Sequence, residues 1–249
     1  SNIDQRITYP RIVGETGGKN FHFLDNSVNY KLDEIVDKTI ESAFNYSGQK
    51  CSACSIMYVP ENLLAKTLKL LRTKTNYYTS NTENYGIINQ KAYDRVEELT
   101  KSFHNDEEVE VILDIGNCNK ESFYISPKVL ICRNHEHRVF NEEFFAPILS
   151  IYPYNPDNTD EVIEKCVNSN KYALTGAIFS LNEKFIQDSF EKFRNKTGNF
   201  YINDKSTGSV VAQQPFGGSG KSGTNDKAGD INLLFRLFNQ RNIKINLDF

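Results

Sequence analysis

Residues 32–60 read LDEIVDKTIESAFNYSGQKCSACSIMYVP, and this stretch decides the fold class. Leu32, Ile35, Val36, Ile40, Ala43 and Phe44 recur at the three-then-four spacing that gathers apolar side chains on one face of an α-helix. The spacing predicts a helix over Leu32–Phe44. Gly48, shortly after it, accepts the backbone angles that end a helix. The run Ser55–Val59 then reads as a strand, closed by Pro60. Cys51 falls in the loop between the two. Helical and strand patterns in alternation favour an α/β domain.

The alternation continues outward from this stretch. Glu61–Arg72 and Lys91–Phe103 read as helices, and Val109–Ile115, Lys128–Cys132 and Ile148–Tyr152 as strands. A helix over Thr159–Val167, a strand over Thr175–Ser180, a helix over Glu183–Arg194 and a short strand over Asn199–Asn203 follow. Gln213–Gly223 is too rich in Gly and Ser for either element and reads as a loop. A helix near Asp230–Phe238 and a strand-like tail, Asn242–Leu247, complete the chain.

The 249 residues suffice for one large domain or two small ones with a real core. Hydrophobic residues make up 39% and charged residues 24%, ordinary values for a globular protein, and the net charge of −3 gives no general pull toward nucleic acid or membrane surfaces. No apolar run reaches membrane-spanning length, and the opening SNIDQRITYP has no hydrophobic signal core. Five scattered cysteines are too few for a disulfide framework, which points to a reducing compartment.

Several residues could carry chemistry. Cys51, a loop cysteine beside Lys50 and small residues, could sit in an electropositive, accessible site that enriches its thiolate and makes it a nucleophile. The competing reading is that Cys51 and Cys54 are small buried hydrophobes. A structural zinc site needs four ligands, and Cys51-x-x-Cys54 has no second CxxC or matching His pair beside it. His135-x-His137 lies in a polar stretch that reads as a solvated loop. Glu15, among glycines, is either a base or a cap or turn residue. Gly14-Glu15-Thr16-Gly17-Gly18-Lys19 lacks the G-x-G-x-x-G spacing and a downstream acidic partner. Gly217–Gly223 ends in Gly-Lys-Ser without the Walker spacing, because position 215 is Pro.

Read together, these segments resemble the aldehyde dehydrogenases. Gly14–Asn20 followed by Gly48-Gln49-Lys50-Cys51-Ser52-Ala53 is similar to that family's paired glutamate and cysteine signatures. Glu142-Glu143-Phe144-Phe145-Ala146-Pro147 resembles its cofactor-facing glutamate motif, and Pro215-Phe216-Gly217-Gly218 with Ser222-Gly223 its late glycine loop. Tyr9-Pro10-Arg11, Gly198–Lys205, Thr207-Gly208-Ser209, Gln213–Phe216 and Gly223–Gly229 resemble the pyrroline-5-carboxylate (glutamate semialdehyde) branch.

The resemblance implies an α/β catalytic domain, an open twisted sheet flanked by helices, with a strand-like oligomerisation tail. Residues 1–8 would be tag remnant and linker, 9–238 the catalytic domain and 239–249 the oligomerisation segment, with the NAD-binding domain absent. It implies that Cys51 attacks the aldehyde of glutamate 5-semialdehyde, that hydride passes to NAD or NADP, and that Glu15 activates water to release glutamate from the thioester. Ser52, Gly208 and Ser209 would hold the substrate carboxylate, and Phe216 would pack on its aliphatic part, unless Phe216 is plain core. Glu143 would bind the nicotinamide ribose, with Phe145 near the ring, unless Glu143 is a solvated surface charge. The cofactor would be held mainly by the missing domain, so the chain alone is expected to oxidise no aldehyde. The resemblance further implies a homo-oligomer for the full-length protein, no nucleic acid or membrane partner and no metal. The compartment would be the mitochondrial matrix in a eukaryote and the cytoplasm otherwise. Another semialdehyde dehydrogenase, a non-catalytic scaffold and a cysteine hydrolase remain the alternatives.

Overall fold

The expected helix of residues 32–44 forms with those bounds in the computed structural model, which describes Gln5 and residues 8–83, 85–116 and 118–248. This helix, α1 (Leu32–Phe44), follows strand β1 (Asn20–Leu24) and precedes β2 (Cys54–Pro60). Then come α2 (Glu61–Asn81), α3 (Gln90–Phe103), β3 (Val109–Asp114), β4 (Lys128–Cys132), a short α4 (Arg138–Asn141) and β5 (Ile148–Tyr154). The remainder is α5 (Thr159–Asn168), β6 (Tyr172–Ala173), β7 (Thr175–Phe179), α6 (Glu183–Lys192), β8 (Asn199–Ile202), β9 (Ser219–Gly220) and α7 (Ile231–Phe235). Most differences from expectation are of one or two residues at element ends; α2 runs nine residues beyond Arg72 because nothing in its sequence stops it before Thr82.

Seven strands form one sheet in the order β3-β4-β5-β2-β1-β7-β8, parallel throughout except for the β3–β4 pair. A parallel sheet is covered on both faces, so its strands are apolar on both sides. Phe21, Phe23, Ile56, Tyr58 and Ile178 pack on one face with residues of α3 and α5. Leu24, Met57, Val59, Ala177 and Phe179 pack on the other with α1 and α2.

Strand β1 was not anticipated, although it is central. Its five residues are all buried, but His22 interrupts the apolar pattern, and only tertiary hydrogen bonds make a histidine acceptable there. The expectation for His135 is also corrected. It is buried, its Nε2 lies 2.9 Å from the Tyr58 hydroxyl, and it stacks on Phe140, because α4 folds the stretch back onto the core. Burial pushes its pKa down to about 4.

Two further expectations change. The helix near 230–238 shrinks to Ile231–Phe235, capped by Asp230, whose side chain accepts from Asn232 N–H. The tail 242–247 forms no strand, since no neighbouring strand pairs with it, and Ile243, Ile245 and Leu247 are exposed. The expected linker at 1–8 lies, apart from Gln5 and Thr8, outside the described residues.

Candidate active site

Cys51 sits on a turn built to hold it still. After α1, Tyr46, Ser47 and Gly48 all adopt positive φ (52°, 57° and 68°), so the chain reverses sharply before Cys51. Gly48 does not end α1, as its position suggested; Asn45 caps the helix. A side chain at Gly48 would strike the carbonyl of Ala146, and this close approach is what calls for glycine. The turn Lys50–Ala53 is closed by Ala53 N–H donating to Lys50 O (3.0 Å). Beneath it, the Asn20 amide donates to Cys51 O (2.7 Å) and Ala53 O (2.9 Å), while its Oδ1 accepts from Thr175 N–H (3.1 Å). Asn20 holds the turn in place, a role that sequence reasoning did not assign. Its only signal was a polar side chain at the entry to a buried strand, directly after Gly17-Gly18-Lys19.

The charges of two carboxylates, Glu143 and Glu15, act on this turn. Glu143, in the loop entering β5, accepts from Gly18 N–H (2.8 Å), and a side chain at Gly17 would collide with the Glu143 carboxylate. Burial raises the Glu143 pKa against the opposing pull of the Gly18 N–H and Lys19. Lys19 is fully buried with its Nζ 4.4 Å from the centre of the Phe144 ring, and burial lowers its pKa to about 7. Glu15 is exposed and pairs across a β-bridge with Gly223, where Thr16 N–H donates to Ser222 O (3.1 Å) and Thr224 N–H to Gly14 O (2.9 Å).

The Cys51 thiol registers both acids. It is half-buried, and its pKa is raised by burial first, then by the charges of Glu15 and Glu143, against weaker help from the Ser52 and Cys51 N–H groups. The expected electropositive setting is therefore corrected. Lys50 turns toward the Tyr46 ring, 4.9 Å from its centre, and the charges that shape the thiol are negative. Cys54 is buried, donates to Ile56 O (3.3 Å) and has its pKa pushed far up by burial. Among the described residues no group of three His, Cys, Asp or Glu is arranged to hold a metal.

The site lies at the amino-terminal edge of the sheet: the loops of Glu15, Cys51 and Glu143 lead into β1, β2 and β5, which run parallel. Open α/β sheets more often bind ligands beyond the carboxyl ends of their strands. The stretch Gly218–Gly223 has the bare G-x-G-x-x-G spacing, which sequence reasoning did not remark. It opens no helix, and Ser219–Gly220 instead pairs with Tyr172–Ala173, so it is not a dinucleotide fingerprint.

The residues expected around the substrate divide into two groups. Ser52 adjoins Cys51. Ser209 and Phe216 line a separate recess of about 590 Å³ with Gln214, Pro215 and Gly229, and Phe216 is half-exposed rather than plain core. The Gly208 N–H is already spent on Lys205 O (2.9 Å), so it is not a free donor in this arrangement. Beside the Cys51 turn, Gly18, Lys50, Glu143 and Phe145 line a hollow of about 20 Å³, room for roughly one water. Phe145 has φ 52° and is 41% exposed.

A family model described as "Aldehyde dehydrogenase family" matches residues 2–241. The chain belongs to the aldehyde dehydrogenase family. The mitochondrial Δ1-pyrroline-5-carboxylate dehydrogenase of Danio rerio is 38% identical over 98% of this aldehyde dehydrogenase chain and 45% of its own length. The probable enzyme of the same name from Schizosaccharomyces pombe is 40% identical over 95% of the chain and 44% of its own length. Among solved structures, the Δ-pyrroline-5-carboxylate dehydrogenase of Mycobacterium tuberculosis bound with NAD superposes with a TM-score of 0.83 at 31% identity, over 94% of this chain and 43% of that one. This aldehyde dehydrogenase chain thus spans about half the length of the curated relatives it matches.

Proposed function

We propose that the chain is the cysteine-bearing catalytic domain of a Δ1-pyrroline-5-carboxylate dehydrogenase, the NAD-dependent oxidation of glutamate 5-semialdehyde to glutamate in proline breakdown. The observation that supports it most is that Cys51 stands on a turn clamped by Asn20, beside the loop that carries Glu143, with the charges of Glu15 and Glu143 both acting on its thiol. Relatives and solved neighbours carry that enzyme name, and a proline utilization A protein of Bdellovibrio bacteriovorus has the same fold at 28% identity and a TM-score of 0.79.

The cofactor face fits the nicotinamide end of a dinucleotide. Glu143 engages Gly18 through Oε1, leaving Oε2 for ribose hydroxyls, and Phe145 presents an exposed ring. Bound there, NAD supplies the acceptor for the hydride that turns a Cys51 adduct into a thioester. The chain's own residues do the rest. Cys51 Sγ attacks the aldehyde carbon, the carbonyl electron pair moves to oxygen, and the thiol proton passes to a base. A thiol raised by burial and then by two acids needs such a base, and Glu15 is the solvent-facing candidate. We assign the Cys51 N–H as one donor to the oxyanion. Glu15, having released the thiol proton to solvent, takes a proton from water, the water oxygen attacks the thioester carbon, and the C–S bond breaks to free glutamate and the Cys51 thiolate. Ser52 and Ser209 are the neutral donors assigned to the substrate carboxylate, and Gly208 contributes backbone room because its N–H is committed; Phe216 packs on the substrate's methylenes.

Exposed Ile243, Ile245 and Leu247 alternate along the tail, which suits pairing with an edge strand of a second copy. The zebrafish relative is named mitochondrial, and the matrix is the compartment we assign in a eukaryote, the cytoplasm otherwise. An aldehyde-directed electrophile is expected to label Cys51 ahead of exposed Cys118 and of buried Cys54, Cys132 and Cys166. Peptide mapping that finds Cys118 labelled as fast as Cys51 overturns the assignment.

A further inference from the structure

Strand β1 carries His22 at a position where its neighbours are Phe21 and Phe23, and its side chain is wholly buried on the face covered by α1. Nδ1 stands 2.9 Å from Thr39 Oγ1, and that hydroxyl donates its one proton to Ile35 O (2.8 Å). Thr39 can then only accept from the ring, so the proton of the neutral imidazole is on Nδ1. The lone pair on Nε2 accepts from the Ser206 N–H (3.0 Å). Burial pushes the His22 pKa down to about 3, so the ring stays neutral and this polarity is fixed.

Ser206 is also fully buried, and its hydroxyl donates to Ser52 O (3.0 Å). Thr207 Oγ1 donates to Ser42 Oγ (3.2 Å), which lies 3.0 Å from Ser206 Oγ. One proton per hydroxyl gives a single directed series, Thr207 to Ser42 to Ser206 to Ser52 O. The segment after β8 is thereby tied at both the Ser206 amide and the Ser206 hydroxyl. One tie leads to the strand beneath the nucleophile, the other to the residue beside it.

A buried histidine costs free energy unless both its nitrogens are satisfied, and an apolar side chain would fill this core position without that requirement. What the imidazole adds is a bond to a loop rather than to the core. We propose that His22 and Ser206 are positioning residues that set the spacing between Cys51 and the 208–209 segment, and so select substrates by the distance from aldehyde to carboxylate. The inference rests on the reading of Ser209 and its neighbours as the carboxylate end of the site.

The test compares labelling of Cys51 in the 249-residue chain by two chloromethyl ketones. One carries a carboxylate at the spacing found in glutamate 5-semialdehyde, and the other is its methyl ester. The wild type is expected to favour the carboxylate probe. Ser206→Ala and His22→Leu are expected to cut that preference by about five- to tenfold, the scale of one buried hydrogen bond, with the ester rate unchanged. His22→Gln, whose amide oxygen can accept from the Ser206 N–H, restores most of it. Retained preference in folded Ser206→Ala and His22→Leu overturns the proposal, as does an equal loss with both probes, which would mean general support of the turn. If His22→Leu does not fold, Ser206→Ala decides alone. A wild type indifferent to the carboxylate refutes the underlying assignment of the carboxylate end, and the inference with it.

Discussion

The turn that carries Cys51 and the segment that carries Glu15 reach the same edge of the sheet by opposite means. The Cys51 turn is clamped from inside: buried Asn20 holds the carbonyls on both sides of Ser52, and Gly18 lets the backbone lie against the Cys51 carbonyl. The Glu15 segment is hung on the outside. Exposed Glu15 and Thr16 are tied through backbone bonds of Thr16 to Ser222 and of Gly14 to Thr224, supplemented by Gly14 N–H donating to Thr224 Oγ1 and Thr16 Oγ1 donating to Lys221 O. Gly223 permits them with φ 146°, and a side chain there would run into Gly14 O. The place of Cys51 is thus coupled to the global stability of the sheet, while that of Glu15 depends on local pairing that can open by itself. That division suits the roles proposed for Cys51 and Glu15, because a nucleophile must be held at fixed range and a base that deprotonates water must meet solvent.

The largest effect is expected where the comparison touches catalysis. Glu15→Gln should slow hydrolysis of an acyl-Cys51 formed from an activated ester by about a hundredfold or more, the usual range for a general base. The acylation burst should survive. Mass spectrometry would show the adduct persisting, and turnover at the wild-type rate would locate the base elsewhere. The clamp side should answer with stability instead. Asn20→Ala leaves Cys51 O, Ala53 O and Thr175 N–H without their partner. At about 1 kcal/mol per bond the loss is roughly 3 kcal/mol, or a Tm lower by roughly 6–12 °C for a chain of this size. Thermal melting of Asn20→Ala beside Gly223→Ala sharpens the contrast, since the half-buried glycine supports a local backbone pairing rather than the sheet and should cost less. Equal melting of Asn20→Ala and wild type would remove the clamp from the account.

How much of this was legible in the sequence follows from which forces are local. Helix α1 and strand β4 were readable to the residue because their burial shows as spacing within the element itself. Strand β1 was not, since His22 is tolerated through Thr39 and Ser206, 17 and 184 positions away. Cys51, Glu15 and Glu143 could be named from the likeness of their motifs to a family. The sign of the field on Cys51 could not: Lys50 is its neighbour in the chain, but Glu15 and Glu143 are its neighbours in space. The tail 242–247 has the alternation of a strand, yet alternation supplies only a face, and a ladder needs a partner.

That field supplies the smallest effect and the finest test of the two-sided arrangement. Alkylation by iodoacetamide follows the thiolate, so its pH midpoint at Cys51 should lie above that of an ordinary cysteine. Glu15→Gln removes one of the two negative charges and should bring the midpoint down. It should not return to the ordinary value, because burial, the largest cause, and Glu143 both remain. Gly223→Ala should move it the same way by displacing the Glu15 segment without altering its charge. Added salt screens an exposed carboxylate more than a buried one. It should therefore lower the wild-type midpoint and leave that of Glu15→Gln nearly where it was. A midpoint indifferent to Glu15→Gln at low salt would show that the two segments, though on one edge, do not share a field.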